Sequence, residues 1–160
     1  MRAATAIPRS IAARTSPGAQ VAALPYRVGP AGVEILLITS RRTHRWIVPK
    51  GWPMKGSTQA ADAAREAMEE AGVSGDVAEA PIGVFHYIKE MKHGLGVPCR
   101  VSLYPLKVTR QKRSWSEKAA RDAKWHSVAE AVALVSEPEL KRLIQKFAAQ
   151  HVAAKPAPLA

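Results

Sequence analysis

Short apolar runs separated by turn residues fill the first third of the chain, and helical spacing takes over later. Val21–Val28 and Val33–Thr39 have the β-branched, apolar content of strands, and Gly29-Pro30-Ala31-Gly32 between them reads as a hairpin turn. An arginine-rich loop follows, then the apolar run Trp46-Ile47-Val48. Residues 49–56 contain Pro49, Gly51, Pro53 and Gly56 and are predicted to be loop. Ser57 is the expected N-cap of a helix that runs to Ala71 and stops at Gly72. A hydroxyl there can accept from an orphan helix amide, and glycine tolerates the left-handed turn that ends helices. Ile82–Ile88 and Val97–Val108 read as two more strands, the second interrupted at Pro105. Ser127 with Glu130, and Ser136 with Glu139, have capping-box spacing and open two final helices. Leu140, Leu143, Ile144 and Phe147 give the last helix one apolar face. Strands interleaved with helices predict an α/β fold around a mixed sheet.

The flanks differ from this pattern. Residues 1–19 carry Ala, Arg, Ser, Thr and Pro with no acid before Glu34, and residues 151–160 are rich in Ala and Pro. They are expected to be flexible tails on one domain spanning residues 20–150. A cytoplasmic location is expected, although an arginine-rich, acid-free start is also the composition of an organelle transit peptide. No apolar run approaches the roughly 18 residues that span a bilayer, which argues against a membrane protein. Cys99 is the single cysteine, which excludes an internal disulfide and a cysteine-rich zinc site.

Charge sharpens the picture. Lys and Arg number 24 against 13 acids, a net charge of +11. Yet Asp62, Glu66, Glu69, Glu70, Asp76 and Glu79 all fall within residues 62–79. An acidic knot in a basic protein can hold a cation beside a polyanion. A phosphorylated small molecule and a nucleic acid would both satisfy that balance. The chain has no zinc-finger spacing, aromatic RNA-binding pair or GXXG loop, so nucleic acid is the less favoured partner. Composition leaves the oligomeric state open.

The acidic knot lies on the predicted helix, as Arg65-Glu66-Ala67-Met68-Glu69-Glu70-Ala71-Gly72-Val73. At about 100° per residue, Glu66, Glu69 and Glu70 share one sector of its surface. Oxygen-only ligands of this kind suit Mg²⁺ or Mn²⁺. Measured back to Gly51, the spacing resembles the Nudix box, G-x5-E-x7-R-E-U-x-E-E-x-G-U with U aliphatic. Gly51, Arg65, Glu66, Glu69, Glu70, Gly72 and Val73 occupy its positions. Two residues depart from it: the first glutamate is Ser57, which can cap the helix but cannot pair with Arg65, and the first aliphatic residue is the small Ala67. Thr39-Ser40-Arg41, Arg45 to Pro49, Val108-Thr109, Trp115, Trp125 and Glu130-Ala131 are similar to segments of diphosphoinositol-polyphosphate phosphohydrolases.

The resemblance implies an α/β/α sandwich around a mixed sheet and a metal-dependent pyrophosphohydrolase. Diphosphoinositol polyphosphates or dinucleoside polyphosphates are the leading substrates. Nucleoside triphosphates, ADP-ribose, RNA 5′ ends, or a nucleotide sensor without catalysis are the alternatives. It further implies that Glu66 and Glu70 ligate the metal with the carbonyl of Lys50 or Gly51, that Glu69 is ligand or general base, and that Arg65 orients the carboxylates. Arg41, Arg45, Lys50 and Lys89 are the candidates for holding substrate phosphates, with Lys92 and His93 in the same loop region. Trp46 and Trp125 could stack on a base, but Trp46 sits in an apolar run and is expected in the core.

Overall fold

A computed structural model describes residues 18–91 and 94–154. Strand β1 (Gly18–Gly29) turns into β2 (Gly32–Thr39), followed by the short strands β3 (Trp46–Ile47) and β4 (Lys50–Gly51). Helix α1 (Gln59–Ala71) leads into β5 (Val73–Val77), then β6 (Gly83–Glu90) and β7 (Gly96–Gln111). A 3₁₀ turn (Lys118–Ala120), β8 (Ala123–Ser127), α2 (Val128–Leu134) and α3 (Pro138–Ala154) complete the order. The expected domain limits at residues 20 and 150 therefore fall inside β1 and α3. The remaining tail residues, with Lys92 and His93, lie outside the described residues.

All the strands join one mixed sheet with the central path β3-β2-β1-β7-β5; β4 pairs with β1, β6 with β7 and β8 with β2. Among the described residues β1 and β7 run parallel, and the other pairs are antiparallel. Alternation along the central strands sends side chains to two faces, as the pleat requires. Ala22, Leu24, Ile35 and Leu37 pack with Leu140, Ile144 and Phe147 of α3. Val21, Ala23, Leu36 and Ile38 face Ala60, Ala63, Ala67 and Ala71 of α1. The α/β/α sandwich follows from this double burial. The alanines on α1 let it lie close to β1, which is why the small Ala67 is fully buried.

Four expectations need correction. Within residues 49–56, expected to be loop throughout, Lys50 and Gly51 form β4 by pairing with β1. The N-cap of α1 is Thr58, whose hydroxyl accepts from the Ala61 amide at 3.1 Å, not Ser57. Strand β7 passes through Pro105 without a break. On its outer edge β6 pairs up to Leu103 and β5 begins at Leu106, so the donor that proline lacks falls in the gap between two partners. The Pro105 carbonyl in that gap accepts from the Ala78 amide at 2.9 Å. Of the two expected capping boxes, that of Ser127 and Glu130 forms at α2. At α3, Glu139 instead accepts from the backbone amide of His86 at 2.8 Å.

Candidate active site

Strand β4 ties Gly51 to the middle of the sheet, because Lys50 and Gly51 pair with Ala22 and Val21 of β1. Helix α1 then returns across the same strand. A Cβ on Gly51 would push the Glu66 carboxylate aside, so glycine lets the acid lie against this backbone. The helix stops at Gly72, whose φ of 72° is left-handed and whose α-hydrogen faces the Trp115 ring. Trp115 Nε1 donates to the Glu70 carbonyl at 3.3 Å, which packs the segment after β7 onto the end of the helix.

Arg65 binds acids on both sides of itself along α1. Its guanidinium lies 2.8 Å from Asp62, 3.4 Å from Glu66 and 3.8 Å from Glu69. Asp62 is fully buried and also accepts from the Met54 amide at 2.9 Å and the Ser57 hydroxyl at 2.5 Å. These three donors hold its carboxyl below the usual carboxylate range against the opposing effect of burial. Ser57 cannot reach Arg65, but Asp62 joins them. The carboxylate that pairs with Arg65 thus lies on the helix, five residues after Ser57.

Glu70 is buried and its carboxylate is held from two sides. Its Oε1 accepts from the Lys50 amide at 3.1 Å, and Arg121 reaches Oε2 at 3.3 Å. Arg121 also bonds Glu117 at 2.7 Å and the Thr39 carbonyl at 3.1 Å. Burial nevertheless pushes the Glu70 carboxyl up to about 7, Arg121 only partly offsetting it while Glu66 adds to it. Burial and the neighbouring Glu69 raise Glu66 as well. Glu69 is the most exposed of the three, at 46%. Among the described residues no three acidic, histidine or cysteine side chains already form a closed cage for a cation.

Glu70 lines an open cleft of about 720 Å³ whose wall also carries Arg41, Arg42, Arg45, Lys50, Lys89 and Arg121. A tight turn presents the first three: the Ser40 amide donates to the Arg45 carbonyl at 2.8 Å, and the Arg45 amide donates back to the Ser40 hydroxyl at 2.9 Å. Burial lowers the Lys50 ammonium to about 8, with Glu70 and Glu137 partly restoring it. Tyr87 is the aromatic side chain in the cleft wall. Lys50 covers its ring at 4.7 Å, and its hydroxyl donates to Gln20 at 2.6 Å. Trp46 and Trp125 do not line the cleft. Trp46 packs edge-on against His126, and Trp125 lies under the Arg27 guanidinium with its indole nitrogen on Gln111.

The spacing from Gly51 to Val73, now seen as a loop and helix whose Glu70 lines a basic cleft while Glu66 and Glu69 do not, agrees with comparison to known proteins. A family model described as the NUDIX domain matches residues 18–147. The chain belongs to the Nudix family. It is 33% identical over 119 residues to Nudix hydrolase 12, mitochondrial, of Arabidopsis thaliana, which covers 72% of this chain and 58% of that protein. It is 34% identical over 102 residues to human diphosphoinositol polyphosphate phosphohydrolase 3-beta, covering 62% of this chain and 58% of that protein. The chain thus spans less than two thirds of these Nudix relatives. An Ap4A hydrolase from C. elegans superposes with a TM-score of 0.63 at 24% identity, over 84% of this chain and 98% of that one, a likeness that bears on the Nudix fold.

Asp62, Glu117, Arg121, Glu137 and Tyr87 were not singled out from the sequence. An acid three residues before Arg65 was the available signal for Asp62. Glu117 and Arg121 come from a segment with no periodic pattern. The pairing of Thr39 with Asp122 brings that segment to the site.

Proposed function

We propose that this Nudix chain hydrolyses a phosphoanhydride bond in X-linked diphosphates, using Mg²⁺ or Mn²⁺ held by Glu66, Glu70 and the carbonyl of Gly51. One observation carries the reading: a buried carboxyl, Glu70, stands at the wall of a cleft otherwise dominated by cations. The donors fit such an ion. They are all oxygen, and Mg²⁺ is usually held by one or two carboxylates with water and substrate phosphate completing the shell. The raised proton affinity of Glu66 and Glu70 is a strain that a cation would relieve.

When bound, the ion neutralises the charge of the pyrophosphate oxygens and makes bound water more acidic. The chain's own residues do the rest. Arg65, fixed by Asp62, sets the direction of Glu66 and Glu69. Glu69, the most exposed of the three, is a ligand or the base that takes the proton of the attacking water. Arg121 and the Lys50 amide hold Glu70 in place. Arg41 and Arg45 carry forked donors suited to phosphate oxygens, and Lys50 and Lys89 add point charges.

We place diphosphoinositol polyphosphates and dinucleoside polyphosphates first among substrates. The abundance of cations and the covered ring of Tyr87 support recognition of phosphates rather than of a base. The test is a panel of diphosphoinositol polyphosphates, diadenosine polyphosphates, ADP-ribose and nucleoside triphosphates with Mg²⁺ or Mn²⁺. Turnover confined to ADP-ribose or nucleoside triphosphates would overturn the substrate choice.

Among the described residues no helix is long and apolar enough to cross a membrane. We propose residence in the cytoplasm. Import is the alternative to test by imaging a tagged full chain, since several relatives are called mitochondrial or chloroplastic.

A further inference from the structure

The cleft wall is basic, yet two acids sit among its cations apart from Glu70: Glu90, which is exposed, and Glu137, which is half-buried. Glu137 immediately precedes α3, and its side chain is only 12% exposed. Its Oε2 lies 3.5 Å from the Arg45 guanidinium, and its charge acts on Lys50 and Tyr87 in the same wall. The fold fixes it there. Its carbonyl accepts from the Lys141 amide at 3.0 Å as the first bond of α3, and Pro138 follows it. A substrate phosphate approaching Arg45 therefore meets a carboxylate that cannot easily withdraw.

The edge of Arg45 that faces Glu137 is a poor place for phosphate, although the guanidinium's other donors can still take a phosphate oxygen. That edge is a good place for a hydroxyl, which can donate to the carboxylate and accept from the guanidinium at once. Charge decides between the two groups, because charges this close act on each other more strongly in a partly buried site than in bulk water. Against phosphate this interaction is repulsive. Against a hydroxyl it becomes a charge-assisted hydrogen bond.

We propose that Glu137 is a specificity-determining residue that selects a free substrate hydroxyl over a phosphate at the point of the cleft facing Arg45. The proposal rests on the reading of this cleft as a polyphosphate site. The substrate it describes is a polyol or sugar that carries several phosphates and leaves at least one hydroxyl bare.

Two probes isolate the effect. Inositol hexakisphosphate has phosphate at every position, and an inositol pentakisphosphate leaves one hydroxyl free. Their binding to the full chain is measured by calorimetry at pH 6.5. The wild type is expected to prefer the pentakisphosphate. Glu137→Gln keeps the shape and removes the charge. It should bind the hexakisphosphate about tenfold more tightly and the pentakisphosphate no more tightly, so that the preference disappears. Glu137→Asp keeps the charge and should keep the preference. Arg45→Ala should weaken both probes.

The outcomes separate the two readings. If Arg45→Ala leaves both affinities unchanged, the polyphosphate reading of the cleft fails. If Arg45→Ala weakens both but Glu137→Gln leaves hexakisphosphate binding unchanged, or tightens both probes equally, the selection by Glu137 fails alone. A melting temperature for each variant shows whether it is folded.

Discussion

Replacing Asp62 by alanine strips three donors of their acceptor at once: the Met54 amide, the Ser57 hydroxyl and the Arg65 guanidinium. Charge-assisted hydrogen bonds contribute about 1.5–3 kcal/mol each, and a buried donor left unmet costs about 1–3 kcal/mol. Ser57 is exposed and Arg65 is 30% exposed, so water recovers part of the loss. Asp62→Ala should then cost about 3 kcal/mol, a fall in melting temperature on the order of 10 °C for a domain of this size. Ser57→Ala removes one bond with an exposed partner and should cost about 1 kcal/mol. Turnover should fall with Asp62→Ala beyond what unfolding explains, because Arg65 loses the anchor that directs Glu66 and Glu69. Ser57→Glu, which restores the box residue, places a second carboxylate beside a buried one. At 4 Å the repulsion is about 4 kcal/mol at an effective dielectric of 20, an upper bound because this side chain can turn into water. Ser57→Glu alone is therefore expected to destabilise, and the double change Ser57→Glu with Asp62→Ala to recover stability and turnover. Thermal melts and initial rates on the four proteins decide it. An Asp62→Ala protein melting within about 2 °C of wild type would refute the stability argument, since so small a shift is under 1 kcal/mol.

Further outcomes are specific to the cleft and its acids. In metal-free protein, native Glu70 binds a proton up to about pH 7, whereas an unfolded glutamate releases it near 4.5. The native state then holds more protons across that window, so this carboxyl makes stability fall as pH rises from about 4.5 to 7. The fall should vanish in Glu70→Gln, and metal affinity should climb over the same window. Melts of both proteins at several pH values, with and without Mn²⁺, check the sign, and a wild-type loss equal to that of the variant would contradict it. Arg41→Ala and Arg45→Ala should raise KM roughly tenfold and leave kcat nearly unchanged, because phosphates that stay in place bind ground and transition states alike. The rise should grow with phosphate number, and equal losses across a phosphate series would contradict that recognition.

Much of this was legible in the sequence for physical reasons. The β1–β2 hairpin is buried on both faces and so reads as two continuous apolar runs about a turn, while α1 buries one face with the helical period, and both patterns survive without tertiary context. Strand β5 was not legible because only Val73 and Val77 are apolar, with Ser74, Gly75 and Asp76 between them. Strand β8, Ala-Lys-Trp-His-Ser, gains its place by pairing with β2 across a long stretch of chain. Pro105 misled because its missing donor matters only where a partner strand is present. The three glutamates of α1 could be found because their chemistry is periodic along one helix. Asp62 had a local signal in its i,i+3 spacing to Arg65, whereas Arg121 and Glu137 acquire their roles from contacts that only the folded chain creates.

The central claim is hydrolysis by a cation held at Glu66 and Glu70, and its most direct test is turnover of the best panel substrate by full chain stripped of metal. The account predicts no hydrolysis in a chelator and recovery on adding Mg²⁺ or Mn²⁺. It also predicts that a folded Glu70→Gln protein turns over at least about a hundredfold more slowly, as expected if the ion supplies several kcal/mol at the transition state. Undiminished turnover in the chelator, or in Glu70→Gln, would contradict it.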